Sequence, residues 1–351
     1  MPPRQLVTRH GTARDGLSAN ENIPHGEILM STTDISARLH PRRALLVLSL
    51  LECHFAAYRV GAMSQWTAAD LPSFAGRTVI VTGANSGLGL ITARELARAG
   101  AKTILAVRNT AKGDEAAASI GGDVEVRKLD LQDLASVRAF ADGVDSVDVL
   151  VNNAGIMAVP YAQTVDGFES QIGTNHLGHF ALTNLLLPKI TDRVVTVSSG
   201  MHLIGQINLD DLNWKARPYS PWRAYGQSKL ANLLFTSELQ RRLDAAGSPL
   251  KAHAAHPGYS ATNLQGNTGR KVGDALMTFG NKLATNADFG ARQTLYAVAK
   301  DLPGDSFIGP QFAMWGPTGR TPLRSPLARD AKKAVGLWEL SEQLTDTKFG
   351  L

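Results

Sequence analysis

Tyr225 and Lys229 stand four residues apart in Tyr225-Gly226-Gln227-Ser228-Lys229, a spacing that puts a phenol and an ammonium on one face of a helix. A phenol titrates near about 10 and shuttles protons poorly at neutral pH, whereas a neighbouring ammonium and a positive nicotinamide ring both favour the phenolate and lower that value. The run Val194-Val195-Thr196-Val197-Ser198-Ser199-Gly200 reads as a buried strand ending in two hydroxyls. Either hydroxyl can donate to a carbonyl oxygen as negative charge develops on it. Asn175, within Gly173-Thr174-Asn175-His176-Leu177-Gly178-His179-Phe180, offers an amide that would hold a water beside the lysine and complete a proton relay. A Tyr-x-x-x-Lys alone is common; with the serines and the amide it describes proton exchange with a carbonyl or alcohol oxygen.

Such a site needs a hydride donor, and the chain carries a matching binding element. Thr82-Gly83-Ala84-Asn85-Ser86-Gly87-Leu88-Gly89 lies where an apolar strand pattern gives way to a helical one. There Gly83 permits a tight turn, Gly87 lets backbone approach a pyrophosphate, and Gly89 lets the helix pack closely. The helix N-terminus offers free N–H groups and a positive dipole end to phosphates. About 20 residues on, NAD-selective sites carry an acid for the ribose 2′-hydroxyl. Here the stretch reads Leu105-Ala106-Val107-Arg108-Asn109, with Lys112 nearby and no acid before Asp114. A guanidinium pairs with a 2′-phosphate and stacks on adenine, so NADP(H) is expected over NAD(H). Lys229 would also hydrogen-bond the nicotinamide ribose.

These residues must be held by strand ends. Short β-branched runs at Thr78–Thr82, Thr103–Val107, Val124–Lys128, Val147–Asn152, Val194–Ser198, Lys251–His256 and Phe307–Met314 predict strands. Helical patterns fall between them at Leu88–Ala99, Leu134–Ala141, Phe168–Ile190, Tyr225–Ala245 and Ala291–Ala299. Alternation of apolar strands with helices predicts an α/β fold: one doubly wound domain, its parallel sheet covered by helices on both faces.

The ordered set of glycine turn, Asp130-Leu131, Asn152-Asn153-Ala154-Gly155, Asn175, serine strand, Tyr225/Lys229 and Pro257-Gly258 resembles the short-chain dehydrogenase/reductase family, over most of Leu71 to Leu351. The resemblance implies a Rossmann-type domain with Tyr225 as general acid/base and Lys229 as its activator and ribose ligand. It assigns Ser199, rather than Ser198, as the carbonyl-orienting hydroxyl and Asn175 as the relay amide. The chain departs from the family's pattern here, with Gly200 and then His202, so both serines stay open. By the same resemblance Asp130 and Leu131 contact adenine, and Asn153, Ala154 and Gly155 lie beside the ribose. Pro257, Gly258 and Thr262 then belong to a loop over the nicotinamide and pyrophosphate. The long serine-to-tyrosine separation, the Asn175–Phe180 run and the ending Leu337-Trp338-Glu339-Leu340-Ser341-Glu342 are similar to the branch of retinol dehydrogenases, WW-domain oxidoreductase and protochlorophyllide reductase. That branch implies a lipophilic small-molecule substrate. The alternatives are reduction of a carbon–carbon double bond and a non-catalytic nucleotide sensor, although the latter is disfavoured by retention of both Tyr225 and Lys229. Family members often pair through the helices around Asn175 and Tyr225, so a homo-oligomer is compatible with the chain.

Composition bounds the rest. Across 351 residues, 44% are hydrophobic and 19% charged, and a formal net charge of +5 forms no long basic block, so nucleic acid is not an expected partner. Cys53 is the sole cysteine, which rules out an intrachain disulfide and fits a reducing, cytoplasmic setting. Ala44–Leu51 is apolar but far shorter than the roughly 20 residues a spanning helix needs, so stable membrane insertion is not expected. Residues 1–62 lack periodicity and read as a disordered extension, with Met63 as a candidate native start of the domain at 63–351. No metal is expected: His176 and His179 share a helix face without a third ligand, and packing roles suit them better. Trp214 and Trp222 either line a substrate pocket or anchor the insertion. Gln265–Leu283 carries spaced apolar residues that suit a lid.

Overall fold

In the computed structural model, residues 66–258, 287–312, 316–321 and 323–351 are described, all within one compact unit, Ser64–Leu351. The expectations for residues 1–62, Thr262 and the Gln265–Leu283 lid lie outside the described residues.

Eight strands form one sheet: β1 (Thr78–Thr82), β2 (Lys102–Val107), β3 (Val124–Lys128), β4 (Val147–Asn152), β5 (Ile190–Val197), β6 (Lys251–Ala255), β7 (Ser306–Pro310) and β8 (Thr318–Arg320). Their spatial order is β3-β2-β1-β4-β5-β6-β7-β8. All neighbours are parallel except β7 and β8. Strand β1 shows why both faces must be covered. Ile80 packs with Leu150, Phe180 and Leu182 on one side, while Val79 and Val81 pack with Leu96, Val149 and Val151 on the other. Each such side chain contributes roughly 1.5–3 kcal/mol by leaving water. The winding reverses between β1 and β4, and a crevice opens beyond their carboxyl ends.

The connecting helices are α1 (Gly87–Arg98), α2 (Thr110–Ile120), α3 (Leu134–Asp142), α4 (Gly178–Leu186), α5 (Pro221–Ala245), α6 (Ala287–Ala299) and α7 (Ala331–Thr345). The predicted helix Phe168–Ile190 is not continuous. It begins as a short turn at Ser170–Ile172 capped by the Glu169 carboxylate, passes through a π-helical turn at Gly173–Leu177, and ends where Pro188 closes α4. Ile190 instead starts β5, four residues before the predicted Val194. Strand β7 stops at Pro310, short of the predicted Met314. Three elements were not expected. Helix α2 buries only Gly113 and Ala116, so it has almost no apolar stripe to read, although Asn109 caps its start and Gly121 ends it. Strand β8 is a three-residue edge with a polar sequence. Helix α7 lays Trp338 between Phe180 of α4 and Phe235 of α5, at ring separations of 4.9 and 5.8 Å. It thereby covers part of α4 and α5. Among the described residues no helix is long and apolar enough to cross a membrane.

Candidate active site

The crevice holds a cavity of about 580 Å³, within the usual range for small-molecule and cofactor sites. Its wall contains Gly83, Asn85, Ser86, Gly87, Leu88 and Gly89 from the first turn, Arg108 from the end of β2, Asp130 and Leu131 after β3, and Asn153, Ala154 and Gly155 after β4. The nucleotide residues expected from these four places therefore meet in one space. Gly83 has φ +65°, a left-handed conformation that L side chains rarely adopt. A methyl at Gly89 would collide with the Asn153 amide and the Gly83 carbonyl. The turn is a close-packed backbone cradle that no other residue at these positions would preserve. Ser86 makes no side-chain capping bond, so the first N–H groups of α1 remain available to an anion. Arg108, Asn109 and Lys112 are exposed at the cavity's edge, at the start of α2. A dinucleotide fits these features.

Asn153 does more than line the wall. Its side-chain N–H donates to the Thr82 carbonyl at 2.8 Å, and its backbone N–H and that of Ala154 both donate to the Thr82 hydroxyl at 2.9 Å. Asn152 is structural: its buried amide donates to the Thr183 hydroxyl at 2.9 Å. Ile156, Met157, Val159 and Thr174 extend the lining beyond the expected residues. Their signal in the sequence was only adjacency to Asn153-Ala154-Gly155 and to Asn175.

The catalytic candidates lie just beyond Gly155. A methyl on Gly155 would sit 3.1 Å from Asn175 Oδ1 and 3.5 Å from Lys229 Nζ. Glycine thus leaves a small gap that both polar groups face. Asn175 is fully buried in the π-helical turn, a geometry that often marks functional positions. Its Oδ1 accepts from the Ile156 N–H at 2.8 Å, and its Nδ2 donates to the Ile156 carbonyl at 2.9 Å and the Ser228 hydroxyl at 2.8 Å. Both amide hydrogens are therefore used, and one acceptor site on Oδ1 remains. Lys229 Nζ donates to the Val197 carbonyl at 3.1 Å.

The two serines part company. Ser198 is buried and donates its hydroxyl to the Lys229 carbonyl at 2.8 Å, tying β5 to α5. Ser199 is half-buried, accepts from the Met201 N–H at 3.2 Å and is the hydroxyl that pulls the Tyr225 phenol towards ionisation. Tyr225 and Lys229 do share one face of α5, as their spacing requires. The ammonium alone does not lower the phenol. Burial pushes Tyr225 up to about 12, against a smaller downward pull from Ser199. Lys229 Nζ bonds a carbonyl and lies 5.7 Å from the ring centre, and burial pushes the ammonium itself down to about 8. Desolvation outweighs the charge of a partner that is itself reluctant to stay charged.

His176 and His179 are buried and bonded within the fold, His176 to the Ser341 hydroxyl at 3.0 Å. Trp214 is an anchor of the insertion, stacked under the Arg217 guanidinium at 3.8 Å and edge-on to Tyr219. Pro257 and Gly258 follow β6, where the Gly258 N–H donates to His256 Nδ1 at 3.3 Å. They stand beside the end of β5, outside the cavity wall described above.

Comparison with known proteins places this arrangement. The family model for short chain dehydrogenase matches residues 77–273. Retinol dehydrogenase 13 of Homo sapiens is 44% identical over 291 residues, 77% of this chain and 84% of its own length. Retinol dehydrogenase 12 of Mus musculus is 42% identical over 287 residues, covering 77% and 86%. The crystal structure of an uncharacterized protein from Mycobacterium Paratuberculosis is 68% identical, with a TM-score of 0.74, covering 82% of this chain and 100% of that one. A short chain dehydrogenase from Burkholderia cenocepacia J2315, in complex with NADP, shares the fold at a TM-score of 0.54 and 22% identity, over 67% of this chain and 96% of its own. The chain belongs to the short chain dehydrogenase family and, within it, resembles the retinol dehydrogenases.

Proposed function

We propose that the protein exchanges a hydride between NADP(H) and the carbonyl or alcohol carbon of a lipophilic small molecule. The observation that carries this reading is the Ser199–Tyr225 pair, backed by Lys229 and Asn175 across Gly155 from the dinucleotide-sized cavity. When bound, the nicotinamide supplies or accepts the hydride. Everything else falls to the chain's own residues. The Ser199 oxygen accepts from the Met201 N–H, so its own hydrogen is left to donate, to a carbonyl oxygen once substrate stands beside Tyr225. Tyr225 holds its proton to about 12 and gives it to that oxygen only as charge develops there. Lys229, pushed to about 8, can then return a proton to the phenolate near neutral pH. A water between Lys229 and the remaining acceptor site of Asn175 would connect the pair to solvent.

Arg108 and Lys112 at the cavity's edge support NADP(H) over NAD(H), since they offer charge to a 2′-phosphate. The likeness to retinol dehydrogenases supports an apolar substrate. Cys53 as sole cysteine accords with a cytoplasmic, reducing setting.

The test follows NADPH and NADH oxidation with a panel of apolar aldehydes and ketones, retinal among them. NADPH-dependent reduction should fall by about 10²–10⁴-fold in Tyr225→Phe, with NADPH binding retained. Retention of most activity would refute the assignment. A saturated product with its carbonyl intact would move the reading to carbon–carbon double-bond reduction.

A further inference from the structure

His179 is fully buried, and its two ring nitrogens hydrogen-bond Thr82, beside the nucleotide turn, and Asn175, in the catalytic group. The Thr82 hydroxyl fixes how. Its oxygen has two acceptor sites, and the Asn153 and Ala154 N–H groups occupy both at 2.9 Å. Its one hydrogen can go to the Val151 carbonyl at 3.4 Å or to His179 Nε2 at 2.9 Å, and the shorter contact takes it. Nε2 is therefore an acceptor, so the ring's hydrogen sits on Nδ1, which donates to the Asn175 carbonyl at 3.2 Å. A protonated ring has no place here: an Nε2–H would face a hydroxyl oxygen whose acceptor sites are full.

The bonds line up as one directed chain. Asn153 and Ala154 donate to Thr82, Thr82 to His179, and His179 to Asn175, whose side chain in turn clamps Ile156 on the cavity wall. We propose that His179 is a positioning residue, a neutral strut that sets the π-helical turn bearing Asn175 against the backbone cradle of the nucleotide. A hydrocarbon of equal size would fill the space but orphan the Thr82 hydroxyl and the Asn175 carbonyl. The four-residue spacing from Asn175 puts His179 on the same helix face, and β1 lies against that face. The inference rests on the roles of Asn175 and the glycine turn given under the proposed function.

The experiment compares His179→Leu, Thr82→Val, the double variant and Thr82→Ser with the full-length protein. Two quantities are read: the NADPH dissociation constant by nucleotide fluorescence, and amide hydrogen exchange of the peptide spanning Asn153–Ile156 without nucleotide. His179→Leu should weaken NADPH about tenfold and speed that exchange by a similar factor. The double variant should be no worse than Thr82→Val alone, because both changes cut one strut. Thr82→Ser, which keeps the hydroxyl, should exchange like the wild type. Wild-type exchange and affinity in His179→Leu, or additive losses in the double variant, would overturn the proposal. Should His179→Leu fail to fold, exchange of the peptide spanning Gly173–Leu177 in Thr82→Val against Thr82→Ser decides it, with equal exchange there counting against the strut. If the wild type binds no nicotinamide nucleotide, the dehydrogenase reading fails, and the exchange measurements still judge the strut.

Discussion

The two ends of the site are made of different material. At the nucleotide end the ligand-facing groups are largely backbone: Gly83 in a left-handed turn, open N–H groups at the start of α1, and exposed Arg108 and Lys112 at the rim. At the catalytic end they are side chains largely taken out of water, with Asn175, Tyr225 and Lys229 buried and Ser199 half-buried. Backbone cradles hold their shape through local conformation and close packing. Buried polar side chains hold theirs only if every donor finds an acceptor, because an unmade bond there costs about 1–3 kcal/mol. One end should therefore tolerate changes of charge with graded loss of affinity, and the other should fail abruptly when a single amide is removed.

Asn175→Ala gives the largest expected effect. Losing the bonds to Ile156 and Ser228 should lower kcat by about 100-fold or more while NADPH affinity changes by no more than about threefold. Steady-state kinetics beside direct NADPH titration checks it, and parallel loss of both quantities would erase the distinction between the two ends. Acid gives the next effect. Burial pushes His176 and His179 down to about 3 and His253 to about 4. These values lie below the ordinary one near about 6.5, so between the two the unfolded chain binds more protons and stability falls as pH drops. From pH 7 to pH 5 the loss is about 2 kcal/mol for each histidine. Urea unfolding at both pH values reads it, and His176→Phe should make the slope shallower. An unchanged slope would mean that these rings do not carry the acid sensitivity. Arg108→Ala is milder: the preference for NADPH over NADH should fall about 10–100-fold, through KM and with kcat held. A kcat loss instead would couple the rim to the chemistry.

The same contrast explains what could be read from the chain. The glycine turn, the apolar strands and Arg108 announce themselves because each is a local requirement: a positive φ, a two-sided buried strand, a charge where an acid would otherwise stand. Tyr225 and Lys229 are legible because helical spacing is also local. Which serine faces the phenol was not, since the answer depends on Ser198 reaching the Lys229 carbonyl across from β5 to α5. The π-helical turn was missed because nothing in Gly173–Leu177 breaks the apolar helix pattern, and its reward is the set of bonds Asn175 makes to Ile156, nineteen residues away. Helix α2 was missed for the opposite reason: its caps are present but it buries too little to leave a stripe.

The direction of the Tyr225 shift yields the smallest and most discriminating prediction. Had the ammonium lowered the phenol as its spacing led one to expect, carbonyl reduction would lose its proton donor wherever the phenol titrates. Burial instead keeps the phenol protonated to about 12 and lets Lys229 titrate at about 8. Below about 8 both groups carry their protons and reduction should be flat with pH. Above it the proton that refills the phenolate is missing, so kcat for reduction should be about halved at pH 8 and about tenfold lower at pH 9. Alcohol oxidation needs Lys229 free to accept a proton, and should rise through the same interval. Opposite limbs crossing near pH 8 would place the titrating group at Lys229. A reduction rate that stays level to pH 10 would show that the lysine positions the site without supplying its proton.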